Sequence, residues 1–308
     1  MAILLHHYPA SSFAEKVRLI MGYLRLEWQS VTVSPMMPRP RLDLLTGGYR
    51  RTPVLQMGAD IYCDTAIIAR VLSEEADDTT LYQFGFVAER VAQWADSELV
   101  ACCRALNMRP EAIVDTVERV APGQATAFKK DRRALFKGAS PIQDSPEAAL
   151  GAVTTYLAQL DAWMVKDFMF GAAPSIADFS VFHCLWSLAQ SPLNAPLLMP
   201  YRCVLEWMER MAALGHGLRE ETDEEDAVDQ AYDAEPRVMM FDSMELPGVG
   251  IDDYVSVAPI DYGREPVQGR LVAWSLEEIV LARDTEETNA LQVHFPNAGY
   301  AIEAVGTA

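Results

Sequence analysis

The stretch YPASSF, residues 8–13, sets two serines where an apolar run gives way to an amphipathic one. A helix starting there offers unpaired N–H groups and a partial positive charge, which stabilise an anion such as a thiolate. A serine hydroxyl at the same point adds one more donor. Ser11 and Ser12 are therefore candidates, although serine at a helix start is also an ordinary N-cap. A second stretch, RRTPVLQ (50–56), opens an apolar run with Pro53. Proline has no N–H to give to a ladder, so it fits only an edge or a turn. With a cis bond at Pro53, residue 52 turns its backbone groups sideways, ready to pair with an extended peptide. In the third stretch, YCDTAII (62–68), Asp64 and Thr65 begin a helix. A carboxylate and a hydroxyl beside free N–H groups can hold the amine and carboxylate of an amino-acid-like end. Brought together, the three stretches make a site for a small peptide with a thiol in its middle.

The elements that must position them alternate over residues 1–78. AILLHH reads as a buried strand. SFAEKVRLIMGYL places Phe13, Val17, Ile20, Met21 and Leu24 on one helical face, with Glu15, Lys16 and Arg18 opposite. EWQSVTV is a second strand. SPMMPRPRLDLLTGG is a proline-rich loop with one helical turn. TPVLQMG and ADIYC form a hairpin around Gly58, and DTAIIARVLSEE is a helix. The order β-α-β-α-β-β-α is an α/β layer with one antiparallel edge.

Residues 84–218 carry i, i+3, i+4 apolar spacing throughout and predict an all-helical domain, in which Ser175 and Asp178 form a capping box. After Arg219 an acidic run over 219–235 reads as a solvated linker. Periodicity then switches to two. RVMMFD, DYVSVAPID, GRLVAWS, EEIVLARD and ALQVHFP predict five strands within a small, barrel-like all-β domain over 236–308, with the charges of EEIVLARD on a solvated rim.

Composition narrows the function classes. A chain of 308 residues with net charge −19 and pI near 4.6 repels phosphate backbones and anionic lipid, which argues against nucleic acid and membrane surfaces as partners. Cysteines 63, 102, 103, 184 and 203 have neither disulfide nor metal-ligand spacing, so reduced thiols and no metal are expected, with Cys102–Cys103 a buried helical pair. His6 and His7 read as packing or polar contacts, and Met36–Met37 and Met239–Met240 as apolar filler. Neither a signal peptide nor a membrane span is apparent, and a cytoplasmic location is expected.

HHYPASSFAEKVR, RTPVLQ, CDTAIIARVL and PSIADF, in that order over roughly residues 1–218, resemble the glutathione transferase superfamily. TPVL is similar to its cis-proline element, DTAI to its γ-glutamyl-binding element and SIAD to the N-capping box of its helical domain. The resemblance implies a thioredoxin-like N-terminal domain and an all-α C-terminal transferase domain. It makes Ser11, with Ser12 as the alternative, the residue that activates the thiol of glutathione. It implies that Thr52 pairs its backbone with the cysteinyl unit, that Pro53 is cis, and that Asp64 and Thr65 bind the γ-glutamyl end. Arg50 and Arg51 are the nearest cations for the glycyl carboxylate. Asp64 is shorter than the Glu or Gln usual there. His7 stands where tyrosine-type members keep their tyrosine, and position 11 is not cysteine, which argues against thiol-transfer chemistry. Tyr8, Phe13, Trp94, Glu98 and Cys102 are expected around the acceptor pocket. The function implied is conjugation of glutathione, as co-substrate, to a small electrophile by a homodimer without metal. A non-catalytic transferase-like binding or regulatory protein, and a glutathione-dependent isomerase or dehalogenase, are the alternatives. The β-rich tail lies outside the family pattern.

Overall fold

A computed structural model describes residues 1–139, 145–239 and 248–305. The chain opens with β1 (Leu4–His7), α1 (Ser12–Tyr23), β2 (Glu27–Thr32), α2 (Pro40–Thr46), β3 (Val54–Met57), β4 (Asp60–Cys63) and α3 (Thr65–Glu75). β1 pairs in parallel with β2 and antiparallel with β3, and β3 turns back antiparallel onto β4. The turn runs through Gly58 at φ +60. This is the thioredoxin-like layer. The proline-rich loop yields two turns of helix, α2, because Pro40 at its start supplies the backbone angle of a first turn. The Thr52–Pro53 bond is cis, as is Met37–Pro38.

The helical part comprises α4 (Gly85–Trp94), a π-helical turn (Ala95–Leu99), α5 (Val100–Asn107), α6 (Ile113–Val120), α7 (Ala125–Leu135), α8 (Pro146–Trp163), α9 (Ile176–Ala189) and α10 (Arg202–Ala212). The Asp178 carboxylate accepts from the Ser175 N–H at 2.9 Å, and its other oxygen accepts from the Met169 N–H and the Trp207 indole. Among the described residues no helix is long and apolar enough to cross a membrane.

The acidic stretch 219–235 is ordered where a linker was expected. It holds most of β5 (Leu218–Thr222) and all of α11 (Glu224–Tyr232). β5 pairs in parallel with the open edge of β2, a row of backbone donors and acceptors that needs a partner. The Asp223 carboxylate caps α11 by accepting from the Glu225 and Asp226 N–H groups. The three acids of its first turn sit at the favourable end of the helix dipole. Ala227, Val228 and Ala231 turn inward. The acidic charges mark a solvated face, not an absence of structure.

The C-terminal strands are β6 (Tyr254–Pro259), β7 (Val267–Trp274), β8 (Glu278–Thr285), β9 (Asn289–Pro296) and β10 (Tyr300–Ala304). Of the expected strand RVMMFD, residues 237–239 are not strand, and the rest, with Met240, lies outside the described residues. β10 was not anticipated. No separate barrel forms. β9 pairs in parallel with β4, giving one open ten-stranded sheet ordered β10-β6-β7-β8-β9-β4-β3-β1-β2-β5. Leu4, Val54 and Ile61 share a core with Val255, Leu271, Val293 and Phe295 across that junction.

A buried polar cluster fastens the joint. The His294 imidazole lies 2.9 Å from Asp60 Oδ1 and 3.3 Å from Glu278 Oε2, and its ring stacks on Tyr62. Arg237 donates to Glu278 at 3.1 Å. Glu278 is therefore buried, against the solvated rim expected for EEIVLARD, because it opens β8 beside His294 and Arg237, in a run buried on both faces through Leu281, while Glu277 faces water. Replacing His294 by Leu leaves two carboxylates without their imidazole. The expected loss is about 3 kcal/mol of stability, read from the shift of the denaturant midpoint.

His6 and His7 are buried in β1. His6 Nε2 lies 2.8 Å from Gln56 Oε1, and His7 bridges Ser30 Oγ (3.0 Å) and Arg18 (2.9 Å). Burial lowers His6 to about 4, and burial followed by the Arg18 charge lowers His7 to about 3. Both are neutral in the fold near pH 5, whereas the unfolded chain binds protons there. Their contribution is complete above pH 6.5 and disappears as pH falls toward 4 and 3. Stability should drop by about 1 kcal/mol per histidine per pH unit below 6.5. Urea titrations between pH 7 and 5 measure this slope, and His7→Gln should flatten it.

Candidate functional site

α1 begins at a cap. Ser11 is 5% exposed, and its Oγ accepts from the Ala14 N–H at 3.2 Å. Ser12, the first helical residue, is half-buried. Tyr8, Ser11 and Ser12 line a lobe of about 170 Å³ between α1 and the helical part. Pro53, Asp64 and Thr65 line an adjoining lobe of about 600 Å³. Phe13, Arg51, Thr52 and Tyr262 border both. Ser11, Ser12, Thr52, Pro53, Asp64, Thr65, Arg50, Arg51, Tyr8 and Phe13, all singled out from sequence, thus share one two-lobed cleft.

Trp94, Glu98 and Cys102 lie elsewhere. Trp94 meets Tyr156 of α8 edge-on at 5.1 Å, and Glu98 accepts from the Tyr156 hydroxyl. Cys102 is fully buried, which raises its thiol pKa. For Glu98 and Cys102 the cause is the π-helical turn at Ala95–Leu99, which Trp94 precedes. Its extra residue per turn rotates whatever follows relative to a regular helix. Asp96 and Ser97 reach the larger lobe instead.

Several residues of the cleft escaped the sequence. Lys16, placed on the outer face of α1 by periodicity, is 1% exposed. Its ammonium donates to Asp96 at 2.6 Å and to Thr65 Oγ1 at 3.2 Å. Asp96 also meets the His183 imidazole at 2.9 Å. Burial would raise the Asp96 carboxyl, but Lys16 and then His183 outweigh it and hold the group at about 2. The groups that hold Lys16 lie at the start of α3 and in the π-helical turn, and nothing local in α1 signals them.

Asp64 holds the other end of the lobe at φ 96. One of its oxygens accepts from the Ala66 N–H at 3.0 Å and the other from the Tyr300 hydroxyl at 3.1 Å. Arg51 approaches that second oxygen to 3.7 Å, donates to Asp261 and to the Tyr262 carbonyl, and stacks 3.9 Å from the Tyr262 ring centre. The C-terminal strands therefore form a wall of the cleft through Asp261, Tyr262 and Tyr300.

Among the described residues the smaller lobe is lined by Arg39, Arg50, Arg51, Arg104, Arg119 and Arg132, and by no carboxylate. Asp131 lies behind Arg50 and Arg132, at 2.5 and 2.6 Å. Arg39 donates to Thr52 Oγ1 at 2.5 Å. Burial, followed by the Arg50 charge, lowers the Arg39 guanidinium to about 10.

Residues 5–80 match the family model of the glutathione S-transferase N-terminal domain, and residues 142–210 that of the C-terminal domain. No curated protein matches in sequence. A solved GST-like protein from Pseudomonas syringae is 37% identical over 98% of this chain and 99% of its own, with a TM-score of 0.81. That match takes in the C-terminal strands. Glutathione S-transferase III in apo form is 16% identical over 69% of this chain and 92% of its own, and glutathione transferase F2 from Populus trichocarpa is 12% identical over 68% and 93%, each with a TM-score of 0.50. These two share the fold of the first two parts alone. The chain belongs to the glutathione S-transferase superfamily, with five C-terminal strands fused into its sheet.

Proposed function

We propose that the chain is a glutathione transferase in which Ser11 holds the glutathione sulfur as a thiolate. The observation that carries this reading is that Ser11, Thr52 and Asp64–Thr65 meet on one cleft, with Thr52 bordering both lobes. Glutathione spans the lobes, with its γ-glutamyl end at Asp64 and Thr65, its cysteinyl backbone against Thr52 and its sulfur at Ser11. The glycyl carboxylate turns to Arg39 and Arg50. Arg51, already held by Asp64 and Asp261, orients that end without binding it.

Capping and activation are compatible in Ser11. The Ala14 N–H takes a lone pair of Oγ, which leaves the hydroxyl proton free to donate to sulfur. Together with the N-terminal dipole of α1, that bond lowers a thiol whose ordinary pKa is about 8.5. The thiol proton passes to water. The thiolate electron pair then forms a C–S bond to the electrophile, and the leaving group departs with the pair that bound it. A cytoplasmic homodimer is the setting proposed.

Ser11→Ala should lower turnover at pH 7 by roughly 10- to 100-fold, the worth of one hydrogen bond to a charged group. The thiolate absorbance of bound glutathione should titrate nearer 8.5. Loss of the cap adds about 1 kcal/mol of destabilisation. Unchanged turnover and titration would leave Ser11 as a cap only.

A non-catalytic binding protein is the second reading. It is favoured by Asp64, both of whose oxygens are already engaged by the chain itself. Tyr300→Phe separates the two. For a transferase, wild type binds glutathione and the variant binds it several-fold tighter, since about 1 kcal/mol of competing hydrogen bond is gone. Calorimetric binding by the variant alone would favour the second reading.

A further inference from the structure

We propose that the smaller lobe admits an electrophile that itself carries a carboxylate, held by Arg104 of α5 and Arg119 of α6 across the lobe from Ser11. This deepens the transferase reading and rests on it for the identity of the lobe. Among the described residues six guanidinium groups and no carboxylate line this space, in a chain of net charge −19. Asp131 answers Arg50 and Arg132, and Asp64 with Asp261 answers Arg51. Among the described residues Arg39, Arg104 and Arg119 form no salt bridge, and Asp43, Asp261 and Asp115 act on them only from beyond contact distance.

The uncommitted charge comes with uncommitted donors. Arg39 and Arg50 are 3% and 4% exposed, yet Arg39 Nε and Arg50 Nη1 have no hydrogen-bond partner. Arg119 donates to the Gln190 carbonyl, but its buried Nε is likewise unmet. A buried charged donor left without an acceptor is costly, and an entering anion removes that cost. Burial lowers the Arg104 pKa too, while its guanidinium packs 4.1 Å from the Phe136 ring centre and 5.7 Å from that of Tyr262. Stacked in this way, a guanidinium keeps its in-plane N–H groups for a bidentate grip on a carboxylate.

Two anions are needed to use these groups. Glutathione brings one carboxylate to this end, and Arg39, bonded to Thr52, with Arg50 beside it, lies closest to the peptide path. Arg104 and Arg119 belong to the helical part, where the acceptor enters. Phe13, Val100, Phe136 and Tyr262 give the same lobe apolar walls for the body of such a molecule.

The test uses a pair of probes without a leaving group, 3,5-dinitrobenzoate and 3,5-dinitrobenzamide, titrated calorimetrically into the full chain with and without saturating glutathione. The carboxylate should bind at least tenfold tighter than the amide. Arg104→Gln and Arg119→Gln should each lose most of that preference, and the Lys variants should keep part of it. Glutathione should not displace the carboxylate. Equal affinity of the two probes for wild type overturns the proposal without any variant. So does a preference untouched by both Gln substitutions in folded protein, or displacement by glutathione. A chain that prefers the carboxylate but binds no glutathione keeps this site and loses the transferase reading, so the two failures are distinct.

Discussion

The pairing of β9 with β4 is the constraint on which the cleft depends. In a thioredoxin-like layer ending at β4, the outer side of Asp60–Tyr62 would be a bare row of backbone donors and acceptors. Here that row is met by Gln292–His294, and five strands continue from it. The far pair, β6 and β10, is thereby carried round to the cleft, where β6 ends and β10 begins. The Ile260 N–H donates to the Gly299 carbonyl and the Gly263 N–H to the Leu135 carbonyl, which ties the loop after β6 to both β10 and α7. Asp261 and Tyr262 are held on one side of Arg51 by that loop, and Tyr300 reaches Asp64 from the other. Shared packing of Phe295 against Tyr49 and Tyr300 makes this wall part of the fold and not an appended flap.

Charge is partitioned sharply between the two lobes. In the larger, cations and carboxylates are matched one against another: Lys16 with Asp96, Arg51 with Asp64 and Asp261. The smaller collects guanidinium groups, and Asp131, the carboxylate that pairs with Arg50 and Arg132, stands behind them. A positive recess enclosed by an acidic surface focuses the field on its mouth and draws anions toward Ser11. On the transferase reading, the same field would favour a thiolate at that point without any arginine touching sulfur.

What could be read from the sequence divides along a physical line. Ser11, Thr52, Pro53, Asp64 and Thr65 all lie at element boundaries, where capping chemistry and proline leave local signals. The order of the first seven elements and the hairpin at Gly58 follow from periodicity alone. Glu98 and Cys102 were misplaced because a single π-helical turn breaks the regular helical spacing on which their placement relied, whereas Trp94, before that turn, packs on Tyr156 of α8. Lys16 was assigned to water because its burial depends on Thr65 and Asp96, 49 and 80 positions away, which amphipathicity of α1 does not encode. Tyr262 and Tyr300 depend on strand pairing over more than two hundred residues, and the order of C-terminal strands carries no trace of it. The acidic run was read correctly as solvated and wrongly as unstructured, since charge fixes exposure while the open edge of β2 fixes conformation.

The two caps of the cleft differ in a way that sets how a ligand must enter. Ser11 caps α1 with a hydroxyl, which accepts from Ala14 and still has a proton to donate. Asp64 caps α3 with a carboxylate, which only accepts, so its second oxygen requires a donor at all times. The Tyr300 hydroxyl is that donor in the structure, with Tyr49 behind it. On the transferase reading, the sulfur end of glutathione adds a bond at Ser11 without displacing one, whereas its γ-glutamyl ammonium exchanges with Tyr300 at Asp64. Addition at one end gains the full worth of a charged hydrogen bond, and exchange at the other gains only a difference. On that same reading the C-terminal strands, through the Tyr300–Asp64 bond, would tune the hold on the glutamyl end and leave the chemistry at sulfur to α1.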